Sequence, residues 1–68
     1  MGERLRNHLK EARARRDLTQ QELADKVGVS RKTINTIENG VFVPSTILAL
    51  KLARTFGTTV ERLFELED

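Results

Sequence analysis

The sequence has no cysteine, no tryptophan, no tyrosine and a single proline. Without cysteine there is no disulfide and no thiolate metal site. The one histidine, His8, has no partner at metal-ligand spacing and reads as an ordinary surface or boundary residue, so no metal is expected. Three phenylalanines are the only aromatics, which leaves little platform for stacking single-stranded nucleic acid. The longest apolar run, Ile47 to Leu50, falls far short of the ~20 residues of a membrane span. Met1-Gly2-Glu3-Arg4 does not open a signal peptide, and Arg6 stands where a myristoylation motif wants Ser or Thr. These absences lead us to expect a soluble, cytoplasmic protein. No nucleophile, base and orienting group stand in a recognisable pattern, and no glycine-rich phosphate loop is present. The expectation is therefore a non-enzyme, with no cofactor and no small-molecule ligand.

What is there is short and charged. A chain of 68 residues has room for one domain. Leu, Ile, Val and Phe supply 20 of those residues, enough to fold but marginal for a core without staples. Strong local helix signals, or a second copy of the chain, must make up the difference. Residues 1–34 carry nine basic and five acidic side chains; residues 35–68 carry three and five. A first half of net positive charge suits contact with a polyanion, although solvated helix faces would look the same.

Helix start and stop signals recur along the chain, and no segment shows strand-like alternation. Residues 3–16 place Leu5, Leu9 and Ala12 on one stripe and end at Asp17, which tolerates a left-handed turn. Thr19-Gln20-Gln21-Glu22 reads as a capping box before Leu23, Ala24 and Val27, with Gly28 as the stop. Ser30 caps a helix over 31–39 whose inner face is Ile34 and Ile37, closed by Asn39-Gly40. Val41-Phe42-Val43-Pro44 is a loop. Ser45 caps a helix over about 46–56 with Ala49, Leu50, Ala53 and Phe56 facing inward, and Gly57 stops it. Thr58-Thr59-Val60-Glu61 reads as a second capping box, opening a short helix with Val60, Leu63 and Phe64 on one side. Glu65 to Asp68 is expected to be a solvated tail, with Leu66 docking back. The fold class expected is all-α: a compact five-helix domain over residues 5–66, with short termini at 1–4 and 67–68.

Residues 20–39 have the mechanics of a helix-turn-helix. Ala24 is a small residue at the helix crossing, Gly28 supplies a positive-φ turn, Val29 plugs the turn from below, and Ile34 and Ile37 hold the second helix down. Arg31, Lys32, Thr33, Asn35 and Thr36 then face outward at the end that enters a major groove in this motif. Arg31 and Lys32 suit guanine O6/N7, and Asn35 suits adenine N6/N7. A solvated helix face would carry similar residues; the turn spacing is what favours readers of DNA.

Thr19-Gln20-Gln21-Glu22-Leu23-Ala24, Gly28-Val29-Ser30-Arg31, Thr33-Ile34 and Ile37-Glu38-Asn39-Gly40 together resemble the Xre/Cro family of phage-repressor-like regulators. Pro44-Ser45, Ala49-Leu50-Lys51 and Phe56-Gly57 extend the match, which covers residues 5–64. The resemblance implies sequence-specific binding of double-stranded DNA, usually as a homodimer on a near-palindromic site, and transcriptional control, here as a repressor. It further implies that Gln20 contacts a phosphate and braces the recognition helix. Arg31, Lys32 and Thr36 fall on base-reading positions with Asn35 adjacent, and Ser30, Thr33 and Asn39 fall on phosphate contacts. Arg13 and Glu38 match a structural ion pair, and an isolated carboxylate on a half-buried helix would be costly. Two other readings remain open: an antitoxin-type regulator, and a protein-interaction module that keeps the fold without specific DNA binding.

The sequence also departs from the family. Asp17 stands where relatives mostly have Gly. Val41, Val43 and Ile47 replace residues that are commonly polar or charged, while Phe42 matches an aromatic that relatives bury. Val41, Val43 and Ile47 are therefore candidates for a self-association or partner surface beside the DNA face.

Overall fold

The computed structural model describes residues 4–67. Met1–Glu3 and Asp68, parts of the expected first helix, leader reading and acidic tail, lie outside the described residues. Five helices follow one another: α1 (Leu9–Arg15), α2 (Gln20–Val27), α3 (Arg31–Glu38), α4 (Thr46–Thr55) and α5 (Val60–Leu63). Two short strands, β1 (Arg4–Asn7) and β2 (Phe64–Glu67), bring the two ends of the domain together as an antiparallel ribbon.

The helix starts follow the local chemistry. Thr19 Oγ1 accepts the Glu22 amide at 3.0 Å while Glu22 Oε1 accepts the Thr19 amide at 2.8 Å, a closed capping box. Ser30 and Ser45 accept the amides of Thr33 and Leu48 at 3.2 and 3.1 Å. Each such cap is worth about 1 kcal/mol. At α5 the cap is Thr59, which accepts the Arg62 amide at 3.3 Å. The expected box ran from Thr58 to Glu61; the cap lies one residue later, and with Arg62 three residues on no carboxylate reaches back, so a single cap replaces the box. Gly28 ends α2 at φ +75°, and Asp17 takes φ +55° without glycine's freedom.

Three further expectations are corrected. The first helix begins at Leu9, not residue 3, because Asn7 interrupts it: its Oδ1 accepts the Leu9 amide at 3.2 Å and its Nδ2 donates to the Ile37 carbonyl at 3.0 Å. Residues 4–7 become a strand instead, and the expected tail becomes its partner. The register is Arg4↔Glu67, Leu5↔Leu66, Arg6↔Glu65 and Asn7↔Phe64. Arg6 Nη2 lies 3.0 Å from Glu67 Oε2 and Nη1 lies 3.7 Å from Glu65. That hydrogen bond, and then the two carboxylate charges, push the Arg6 guanidinium above its ordinary value.

The second correction is in α4. Leu48, Ala49, Leu52, Ala53 and the following Phe56 are buried, whereas Leu50 is exposed. At 100° per residue the 48/49/52/53/56 stripe turns position 50 well away from the core, beside Ile47. The third concerns Phe42, expected inside and found about half exposed. Its backbone, with that of Val41, is tied to the end of α3 through amides donated to the Thr36 carbonyl at 2.9 and 3.2 Å.

The core lies among all five helices, with Leu9, Leu23, Ile34, Ile37 and Leu52 sealed from solvent. The ribbon closes one end through Phe64, and Leu5 packs partly against the same core. No described helix is long and apolar enough to cross a membrane.

Candidate nucleic-acid interface

Between α2 and α3 the chain turns in three residues. Gly28 reverses the backbone, the Val29 amide donates to the Ala24 carbonyl at 3.0 Å, and Val29 packs half-buried against the core. Ser30 then caps α3, whose Ile34 and Ile37 are anchored inside. Arg31 and Lys32 stand exposed on its first turn, and Thr33, Asn35 and Thr36 lie half-buried along the same outer side. Their surface meets the positive end of the helix dipole, so this turn attracts anions twice over.

Behind this surface runs a hydrogen-bonded chain. Glu38 has a side chain only 4% exposed, and Arg13 grips it with two bonds, Nε to Oε2 at 2.8 Å and Nη2 to Oε1 at 3.3 Å. The remaining Arg13 Nη1 donates to the Leu18 carbonyl at 2.9 Å. Gln20 Nε2 adds a third donor to Glu38, 3.0 Å from Oε1. A carboxylate only accepts, so the Gln20 amide has one permitted orientation: nitrogen toward Glu38, oxygen outward. That oxygen accepts Arg31 Nη1 at 3.4 Å and Asn35 Nδ2 at 3.5 Å. Asn39 Nδ2 in turn donates to Asn35 Oδ1 at 3.2 Å. The buried carboxylate thereby dictates, through one glutamine, how the first turn of α3 is presented.

The other candidates divide by what they have free. The Thr36 hydroxyl lies 3.0 Å from the carbonyls of both Lys32 and Thr33, so it is held within the helix. Ser30 Oγ and Thr33 Oγ1 lie 3.1 Å apart. The Lys32 ammonium has no hydrogen-bond or salt-bridge partner among the described residues and stands open to a ligand. Phe42 flanks a shallow hollow with Ser30, Lys32, Thr33 and Thr36, on the same side as the outward face of α3. The structure thus sets Arg31, Lys32, Asn35, Thr36 and Asn39 along the outward side of α3, with Gln20 bonded to Arg31 and Asn35 and with Ser30 and Thr33 at the capped start of the helix, and it leaves Val41, Val43 and Ile47 exposed. Sequence reasoning missed Phe42 as a neighbour of that face and Asn7 as the tie between α3 and the ribbon. Asn7 carried a usable signal, since asparagine is a helix-start residue and stands two residues before Leu9, the first residue of α1.

The family model described as Helix-turn-helix matches residues 9–63, nearly the whole folded unit. The chain belongs to the Xre/Cro-like helix-turn-helix regulators. An uncharacterized HTH-type transcriptional regulator of Methanocaldococcus jannaschii is 50% identical over 64 residues, covering 94% of this chain and 97% of that protein. The uncharacterized HTH-type regulator YgzD of Bacillus subtilis is 44% identical, with 94% and 97% covered. Among solved structures, the clp gene regulator ClgR of Corynebacterium glutamicum superposes with a TM-score of 0.74 at 28% identity, covering 79% of this chain. The match spans 57% of the ClgR chain. The transcriptional regulator VanUg shares the fold over 98% of this chain and 89% of its own, with a TM-score of 0.75 at 24% identity. This helix-turn-helix family is one of DNA-binding transcriptional regulators, and its relatives' names describe regulators and not enzymes.

Proposed function

We propose that this Xre/Cro-like chain represses transcription by binding, as a homodimer, a near-palindromic site in double-stranded DNA. In this reading α3 enters the major groove. Arg31 and Lys32 donate to guanine edges, and the Thr36 methyl group, left outward by its internally bonded hydroxyl, packs against a thymine methyl. Gln20 holds Arg31 and Asn35 in place and contacts a phosphate. Ser30, Thr33 and Asn39 line the flanking backbone. An adenine contact from Asn35 exchanges its present bonds to Gln20 and Asn39 for the two base-edge bonds.

The observation that carries this reading is the chain from Arg13 through Glu38 to the Gln20 oxygen. A buried, fully hydrogen-bonded ion pair is costly to build, and here its outlet is the orientation of two side chains on an exposed helix. A merely solvated face has no use for that support. A single module of this size binds DNA weakly, whereas two α3 helices about one helical turn, roughly 34 Å, apart combine their affinities.

Selection of binding sites from a random duplex pool at ~150 mM salt tests the proposal. An inverted repeat with half-sites about ten base pairs apart is the expected result. Recovery of no motif by folded protein would overturn it in favour of an interaction module without specific DNA binding.

A further inference from the structure

We propose that Phe42, in the loop that follows the helix-turn-helix, determines specificity: its ring and the Thr36 methyl group clasp the C5-methyl group of one thymine in each half-site. The inference rests on the DNA reading above and adds to it a residue from outside α3. Of the three phenylalanines, Phe56 and Phe64 are buried in the core, whereas Phe42 is 47% exposed. One exposed ring is ordinary; what matters is where this one stands. Phe42 walls a shallow hollow whose other sides are Ser30, Lys32, Thr33 and Thr36, all from the cap and first turns of α3. The main chain holds it there. Gly40 turns the backbone at φ +74° with its amide donating to the Ile37 carbonyl at 3.0 Å. The amides of Val41 and Phe42 then both donate to the Thr36 carbonyl, at 2.9 and 3.2 Å. The loop is thus anchored on the residue whose side chain shares the hollow with Phe42.

The hydroxyls around the hollow are engaged within the chain. Thr36 Oγ1 lies 3.0 Å from the carbonyls of both Lys32 and Thr33. Ser30 Oγ accepts the Thr33 amide at 3.2 Å and lies 3.1 Å from Thr33 Oγ1. What remains for a ligand is carbon, from the Phe42 ring, the Thr36 methyl group and the stem of Lys32, together with the Lys32 ammonium. Of the groups that base pairs display in the major groove, the thymine C5-methyl is the apolar one, and phenylalanine and the threonine methyl both suit it. Guanine, adenine and cytosine offer donors and acceptors there, which a phenyl ring cannot answer. Lys32 and Thr36 belong both to the hollow and to the base-reading side of α3. The occupant that fits is therefore a base edge of the same DNA and not a separate partner. Val41, one residue earlier and 77% exposed, lines no part of the hollow.

The test uses the full chain and the duplex recovered by the selection described above. Each thymine of that site is replaced singly by deoxyuridine, which keeps the base pair and its O4 acceptor and removes only the methyl group. The wild type is expected to lose about fourfold in affinity at one position per half-site, the worth of one buried methyl group. Phe42→Ala is expected to bind the intact site more weakly and to lose less than about twofold at that position, while at every other thymine the two proteins lose alike. Phe42→Leu should recover part of the discrimination, and Val41→Ala should keep the wild-type pattern. A Phe42→Ala loss that is equal on all these duplexes would overturn the proposal in favour of a role in packing the loop. No loss at all, or a selected motif without thymine, would overturn it as well. Nuclear Overhauser contacts between the Phe42 ring and a thymine methyl in the wild-type complex give a readout that depends on no variant's folding; their presence supports the contact and their absence defeats it. Folded protein that selects no site defeats the DNA reading and this contact with it. A selected site at which Phe42 and no methyl group are coupled defeats the contact alone.

Discussion

Two faces of this small domain meet at the α3–α4 loop and are built on opposite principles. On the α2–α3 side, the buried polar atoms are all partnered within the chain: Glu38 takes three donors, Arg13 serves two acceptors, and Gln20 is bonded at both ends of its amide. On the α4 and ribbon side, large apolar side chains stand exposed, with nothing among the described residues to cover them. The first face is finished within the described residues, each bond in the chain constraining the next. Rigidity is what reading a base edge requires. The second face is unfinished within the described residues, with Ile47, Leu50 and Leu66 left more than half exposed.

The contrast can be broken most severely at its polar end. Arg13→Ala leaves the Glu38 carboxylate buried with Gln20 as its only side-chain donor, and should cost about 3 kcal/mol or more. In a domain of this size that lowers Tm by ten degrees or more, since about 1 kcal/mol moves Tm by roughly 4–8 °C. An unchanged melt would show that the pair is not structural. The apolar side offers a paired test on one helix. Leu52→Ala, at a sealed position, should destabilise by about 2–5 kcal/mol, whereas Leu50→Ala, two residues away, should fall within about 0.5 kcal/mol at concentrations where the chain is monomeric. Urea melts of both variants check this, and equal losses would contradict the placement of Leu50 outside the core.

Smaller effects sharpen the polar face. Arg31→Ala should relax discrimination at one base position by about 1–3 kcal/mol, while Gln20→Ala should weaken every sequence more evenly. Binding titrations against single-base variants of the selected site separate these outcomes; identical losses on all sequences would reverse the assignment of reader and brace. The smallest expected change is Ser30→Ala, which removes one cap and should cost about 1 kcal/mol in a thermal melt without altering base preference.

Much of this was legible in the chain, and the reason is locality. Thr19, Ser30 and Ser45 act on amides three residues away, and Gly28 acts on its own φ, so their signals survive without tertiary context; at α5 the cap fell on Thr59, one residue after the expected Thr58. The inner residues of α2 and α3 were equally readable, because Leu23, Ala24, Val27, Ile34 and Ile37 allow one stripe each. In α4 the run Ile47-Leu48-Ala49-Leu50 offers apolar residues on every side, and periodicity alone assigned Leu50 to the wrong one. The ribbon was hidden for a different reason. Arg4-Leu5-Arg6-Asn7 has the i, i+4 relation of Leu5 to Leu9 expected of a helix, and its pairing partner lies some sixty residues away. Such short strands have no preference of their own strong enough to show before they meet.

By itself, then, the sequence determined the five helices, the turn between α2 and α3 and the outward placement of Arg31 and Lys32, through caps, turn residues and helical periodicity that act within a few residues. Tertiary structure alone decided that the two ends pair as a ribbon and which of α4's apolar sides is left in water. It also set the Gln20 oxygen toward the first turn of α3. Each of these depends on groups far apart in the chain, and none has an energy until packing brings the partners within contact.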